Sequence, residues 1–202
     1  MTADGDDETL ARPQGFDQVV LVTGHMTDSP TRPTARFPEH AVPAVARRIE
    51  RSLRGWRLGA GDLLISGGAR GADLIATSVA RRLGATVWML LAEQPDEFER
   101  HSVAGSTETW IDEFRASVAD TPTWVLGDVH RRNESCGGKP DAVYVATNEW
   151  MLDVATRQAG GAPVRVLAVW DGLDGTGPGG AAHMVDAARR AGADVTIIDP
   201  GR

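Results

Sequence analysis

From residue 17 to residue 199, six short runs of β-branched and aliphatic residues alternate with longer helical patterns. The runs are "DQVVLVTG" (17–24), "DLLISGG" (62–68), "ATVWMLL" (85–91), "PTWVLG" (122–127), "PVRVLAVWDG" (163–172) and "DVTIID" (194–199). Between them, helices are predicted over 39–56, 72–84, 108–119, 140–160 and 179–192. In 72–84 the apolar residues Ile75, Val79 and Leu83 recur every four positions, the spacing of one helix face. Near-continuous apolar strands are those buried on both faces, and strand–helix alternation gives right-handed crossovers in a mainly parallel sheet. The expectation is therefore an α/β fold, a three-layer Rossmann-like sandwich with about six strands.

The rest of the chain adds bounds. Residues 1–16 are acidic and poor in apolar surface, so a disordered tail is expected there, ahead of a single domain over 17–202. That start has neither the basic opening nor the apolar core of a signal peptide. No apolar stretch is long enough to span a bilayer, so no membrane association is expected. Cys136 is the single cysteine, which fits a reducing, cytoplasmic setting and excludes an internal disulfide framework. The segment 127–140 is polar and glycine-containing, the composition of an exposed loop. A net charge of −7 argues against general nucleic-acid binding, which needs clustered cations, but leaves room for a local anion site.

In an open parallel sheet the strand-to-helix loops emerge at the carboxyl edge, where ligands bind at the reversal of strand order. Three of these loops are rich in glycine or otherwise odd. The first strand runs into "TGHMTDSPTRPTARFPEH", where Gly24 allows a sharp turn and Thr23, His25 and Asp28 are polar. The second runs into "SGGARGAD" (66–73). There Gly67 and Gly68 bare the backbone, Ser66 adds a hydroxyl, and Arg70 offers a fork to a phosphate or carboxylate. The helix that follows brings its free N–H groups and the positive end of its dipole. Asp73 lies in that first helical turn, where the dipole favours a carboxylate, and joins the candidate ligand-binding set. The fifth strand runs into "WDGLDGTGPGGAAHM", where Gly179, Gly180 and Ala181 leave room for a phosphate or base beside the rigid Pro178. Asp171 has two readings, an acceptor for ribose hydroxyls or part of an Asp-Gly turn. The chain has neither a Walker loop nor the G-x-G-x-x-G fingerprint on its first strand, which disfavours an ATPase or NAD dehydrogenase.

"SGGARGAD" after a strand resembles the SGxARGxD signature of DprA-type proteins, and "GPGG" before a helix resembles the PGGxGT of the LOG phosphoribohydrolases. Both groups belong to the SLOG superfamily of Rossmann-like nucleotide-binding proteins. With "FERHSV", "NEWML" and "VWDG", the series looks like a stand-alone bacterial branch spanning roughly residues 17–199. The resemblance implies a pocket for a nucleotide or nucleotide-derived small molecule. It carries Gly24, His25, Ser66, Gly67, Gly68, Ala69, Arg70, Gly71, Gly179 and Gly180 over as binding candidates, with Ser102 added. No other cofactor is implied. DprA proteins bind single-stranded DNA and a recombinase, a property the acidic charge disfavours here. LOG enzymes cleave the N-glycosidic bond of a nucleoside monophosphate, which makes hydrolysis the alternative function. Laid on that pattern, Asp186 falls at the catalytic acid, while Ala182 and His183 depart from the expected Gly and Thr.

Other polar residues carry two roles each. Asn148, in helical register with Tyr144 and Leu152, either reaches a ligand or satisfies buried loop groups. His25 is either a general base or a loop hydrogen-bonding group. Arg36 either approaches the site or lies on the surface. No Cys/His spacing suggests a metal. A homo-oligomer is left open, and an interaction module assembling through its helices is the third alternative.

Overall fold

The computed structural model describes residues 7–127, 140–173 and 179–201. Cys136, His130, Pro178 and most of the polar segment 127–140 lie outside them. Six strands form one sheet: β1 (Val19–Gly24), β2 (Leu63–Ser66), β3 (Thr86–Leu91), β4 (Thr123–Val125), β5 (Arg165–Val169) and β6 (Asp194–Ile198). All neighbours pair in parallel, in the order β4-β3-β2-β1-β5-β6. The chain winds outward one way from β1 to β4, returns to the centre, and winds the other way through β5 and β6. Strand order therefore reverses between β1 and β5, the switch point where such sheets bind ligands.

Strand alternation sorts the core into two layers. Val20, Val22, Leu64, Val87 and Met89 face α2 (Val42–Gly55), α3 (Ala72–Arg82) and α5 (Glu108–Asp120). Leu21, Leu63, Ile65, Trp88 and Leu90 face α6 (Pro140–Gln158) and α7 (Ala181–Arg190). This is the expected three-layer sandwich. Several tryptophans serve this packing: Trp88 lies 5.2 Å from Trp124 and 5.6 Å from Phe16 between ring centroids.

Two features depart from the sequence expectation. The expected disordered tail is instead ordered in its described part. Asp7–Ala11 form a short helix, α1, and Leu10 is buried in the layer under α6. The physical cause is Gln158 at the end of α6. Its buried amide donates to the carbonyls of Leu10 and Arg12 and accepts from the Gln14 N–H. The second departure follows β3, where one turn of helix, α4 (Pro95–Phe98), runs into a π turn at Glu99–Val103. No helix among the described residues is long and apolar enough to cross a membrane.

Candidate functional site

At the carboxyl edge of the sheet a cleft of about 440 Å³ opens over the end of β1. Gly24 forms its floor. A Cβ on Gly24 would stand 2.6 Å from the Val169 carbonyl and 2.8 Å from the Ala72 Cβ, so no other residue fits between β5 and the start of α3. The helices α3 and α7 start on opposite sides of this floor. Of the residues singled out from the sequence, Gly24, His25, Gly67, Ala69, Asp73, Ser102, Asn148, Gly179, Gly180 and Ala181 line the cleft. Ser66, Gly68, Arg70, Gly71, Asp171 and Asp186 do not.

Four N–H groups of the loop at 66–73 donate within the protein. Gly68 N–H donates to the Ser66 hydroxyl at 3.2 Å, Ala69 N–H to Asp73 Oδ2 at 3.2 Å, and Arg70 N–H to the Ser102 carbonyl at 3.1 Å. Ala72 N–H donates to the His25 carbonyl at 3.3 Å. Ser66 is fully buried. Gly71 has φ +93°, and a Cβ there would lie 2.8 Å from both the His25 carbonyl and the Thr27 nitrogen. Its lack of a side chain thus locks the loop after β2 against the loop after β1. Arg70 corrects the expectation of an anion fork: the buried guanidinium donates to the Thr27 carbonyl at 3.1 Å and the Ala104 carbonyl at 2.7 Å. It ties three loops together.

The start of α7 behaves differently. Gly179, with φ +88°, packs so tightly that a Cβ would meet Tyr144 and Val145 of α6. Asn148 donates to the Gly179 carbonyl at 2.8 Å and contacts His183 Nδ1 at 3.3 Å, so the amide holds the loop in place. Gly180 occupies the N-cap position and makes no side-chain cap. The first-turn N–H groups of a helix have no carbonyl one turn behind them. Here Gly180, Ala181 and Ala182 line the cleft at that turn, with the positive end of the helix dipole.

Between these two loops lies a charged cluster. Arg36 reaches Asp171 bidentately, Nε at 2.7 Å and a terminal nitrogen at 2.6 Å, and also donates to the Leu173 carbonyl. His25 Nε2 lies 3.1 Å from the same carboxylate. Arg36 is carried there because Asp28 accepts the N–H groups of Arg36 and Phe37, folding the long loop back on itself. The guanidinium holds Asp171 well below the usual carboxylate range, with help from the Leu173 N–H and His25. Burial lowers the His25 pKa against the pull of Asp171, so the imidazole is neutral near pH 7.

Asp73 is the remaining polar group of the wall. The residue is 9% exposed, with Oδ2 on the Ala69 N–H and Oδ1 buried without a partner among the described residues. Burial pushes its pKa up to about 7. Asp186, the expected acid of a hydrolase, is exposed on α7: Met184, Val185 and Ala188 form the inward face, and Asp186 falls opposite. Arg32, Phe98, His101, Tyr144, Thr147 and Met151 also line the cleft and were not called from sequence. Tyr144, Asn148 and Met151 follow helical spacing on α6, a signal that was open to reading. No group of three metal-ligating side chains stands together among the described residues.

No family model matches the chain, and no curated protein matches it in sequence. Among solved structures, DNA processing protein A (DprA) from Streptococcus pneumoniae is 15% identical with a TM-score of 0.54, the match covering 96% of this chain and 53% of that one. The chain thus spans about half the length of that protein. The Moco carrier protein of Chlamydomonas reinhardtii is 17% identical at a TM-score of 0.43, over 92% of this chain and 77% of that one. A second determination of that carrier gives 15% identity and a TM-score of 0.33, covering 91% of each chain. The likeness to DprA is one of fold alone: a DprA-like, Rossmann-like parallel sheet with helices on both faces.

Proposed function

We propose that this protein binds a nucleotide or nucleotide-derived small molecule in the cleft over Gly24, acting in the cytoplasm as a binding or sensing module. One observation carries the reading. The cleft sits at the switch point of the sheet, and its wall includes a glycine-opened helix start whose N–H groups face no carbonyl of their own helix. The anionic group of the ligand belongs there, at Gly180–Ala182, rather than at the loop 66–73, where the N–H groups of Gly68, Ala69, Arg70 and Ala72 are already engaged. A volume of about 440 Å³ suits a mononucleotide-sized molecule. The net charge of −7 favours a small ligand over a nucleic-acid strand. Titration calorimetry and thermal shift with AMP, GMP, ADP-ribose and NAD test the proposal. Saturable binding and a raised melting temperature are expected with at least one, and silence across the panel overturns it.

A second reading, hydrolysis of the N-glycosidic bond of the bound nucleotide, is favoured by a single feature: a neutral imidazole, His25, set against a carboxylate at the cleft. His25 would take a proton from the attacking water as the base leaves. Release of free base by the wild-type chain and its loss in His25→Gln, detected by chromatography, support this reading; no release overturns it.

A further inference from the structure

We infer that Arg32 makes the cleft a site for ligands with two phosphates, its guanidinium taking one while the start of α7 takes the other. The inference rests on the nucleotide reading above and deepens it. Arg32 lines the cleft with its side chain 34% exposed, so the group is open to a ligand. Its Nε is already in use, donating to the Thr34 carbonyl at 3.1 Å and lying 3.3 Å from Asp28 Oδ1. The two terminal nitrogens make no hydrogen bond among the described residues. That end of a guanidinium is a fork able to grip a phosphate with two parallel N–H bonds. The other guanidinium of the lining, Arg36, is held by both oxygens of Asp171 and by the Leu173 carbonyl.

The loop holds Arg32 ready. Asp28 N–H donates to the Phe37 carbonyl at 2.8 Å, and Asp28 Oδ2 accepts the N–H groups of Arg36 and Phe37. The loop thus closes on itself at the fully buried Phe37. Within it, Arg32 N–H donates to the Ser29 carbonyl at 3.0 Å. A side chain pinned at Nε on an anchored loop loses less freedom when a ligand arrives. The charge balance points the same way. In a chain of net charge −7, the only carboxyl among the described residues lining the cleft is the buried Asp73. The Arg32 charge also reaches the site: burial is the main cause of the lowered His25 pKa, and Arg36 and Arg32 push it the same way. A lone phosphate at the start of α7 leaves the Arg32 fork to water. A second phosphate turns it into a charge-assisted contact in a partly enclosed cleft, where screening is weaker than on open surface. That phosphate is either joined to the first, as in a nucleoside diphosphate, or carried across the ribose, as in a 3′,5′-bisphosphate.

Calorimetry on the wild-type chain, Arg32→Gln and Arg32→Lys makes the test. AMP and GMP are compared with ADP, GDP, ADP-ribose and adenosine 3′,5′-bisphosphate. On the wild-type chain a two-phosphate compound is expected to bind about tenfold or more tightly than its monophosphate. A winning diphosphate shows that the two phosphates are joined, and a winning bisphosphate that they are split across the sugar. The preference should vanish in Arg32→Gln and fall part of the way in Arg32→Lys, which keeps the charge but loses the fork. Equal affinity for one and two phosphates on the wild-type chain overturns the inference and leaves the nucleotide reading standing. This arm decides alone if the variants do not fold. A preference that survives in Arg32→Gln, or a loss shared equally by the monophosphate, overturns it as well. If neither these compounds nor NAD bind the wild-type chain, the nucleotide reading falls and the inference with it.

Discussion

The loops entering α3 and α7 look alike in sequence: each carries glycines, opens a helix and sits at the same sheet edge. They do different work. In the first, Gly68, Ala69, Arg70 and Ala72 all donate their N–H groups to acceptors inside the protein. In the second, the helix opens at Gly180 into the cleft, held from behind by Asn148. Glycine therefore marks close backbone approach in both places. Whether the partner is another loop or a ligand depends on the acceptors that the rest of the fold supplies.

The contrast can be broken by substitution. Gly71→Ala forces a side chain onto a left-handed backbone and into two backbone atoms at 2.8 Å. A loss of about 3–5 kcal/mol is expected, a fall of roughly 10 °C in melting temperature by scanning calorimetry. Gly180→Ala has an ordinary φ of −79°. A loss of only about 0.5–1 kcal/mol is expected, since alanine is a poorer N-cap than glycine, with weakened nucleotide binding. The reverse outcome for this pair would exchange the roles of the two loops.

Arg70→Met sharpens the same point. Loss of the guanidinium strands the Thr27 and Ala104 carbonyls, and about 2–4 kcal/mol of stability should go in urea unfolding. Unchanged melting together with abolished nucleotide affinity would restore Arg70 as an anion ligand.

Asp73 gives a smaller effect with a definite pH dependence. Its folded pKa, about 7, lies above that of an unfolded carboxyl. Its stabilising contribution is thus complete below about pH 4 and is lost as pH rises toward 7, because the unfolded chain ionises first. Asp73→Asn should therefore be more stable than wild type at pH 8, by about 1–3 kcal/mol, and lose that advantage at pH 4. Urea midpoints at the two pH values check it. The smallest effect is expected at Asp186, exposed and away from the cleft. Asp186→Asn should leave both melting temperature and nucleotide affinity unchanged, and a lost ligand response would return it to the site.

The fold was legible because its strands are short apolar runs flanked by helices, a pattern carried within each segment. The order of α1 was not, since Leu10 is held by Gln158 from the far end of the chain. The π turn at Glu99–Val103 left no local trace either. In the site, the residues at the carboxyl edge could be named from topology, but their roles could not. Arg70 carries donors that any reader sees, whereas its acceptors are main-chain carbonyls from two other loops. Asp186 shows the opposite error: motif alignment pointed to it, while the apolar spacing of Met184, Val185 and Ala188 already turned it outward.

The strand order has a consequence for how the molecule comes into being. On one side β1 pairs with nearby sequence, Val20 beside Leu64, and on the other with distant sequence, Val20 beside Arg165. Closing the long connection costs more chain entropy and is slower than pairing neighbours. During synthesis, four of the six strands can assemble before the residues of β5 exist. The crevice over Gly24, which needs both sides, is then among the last features to form, so ligand binding reports on completed folding.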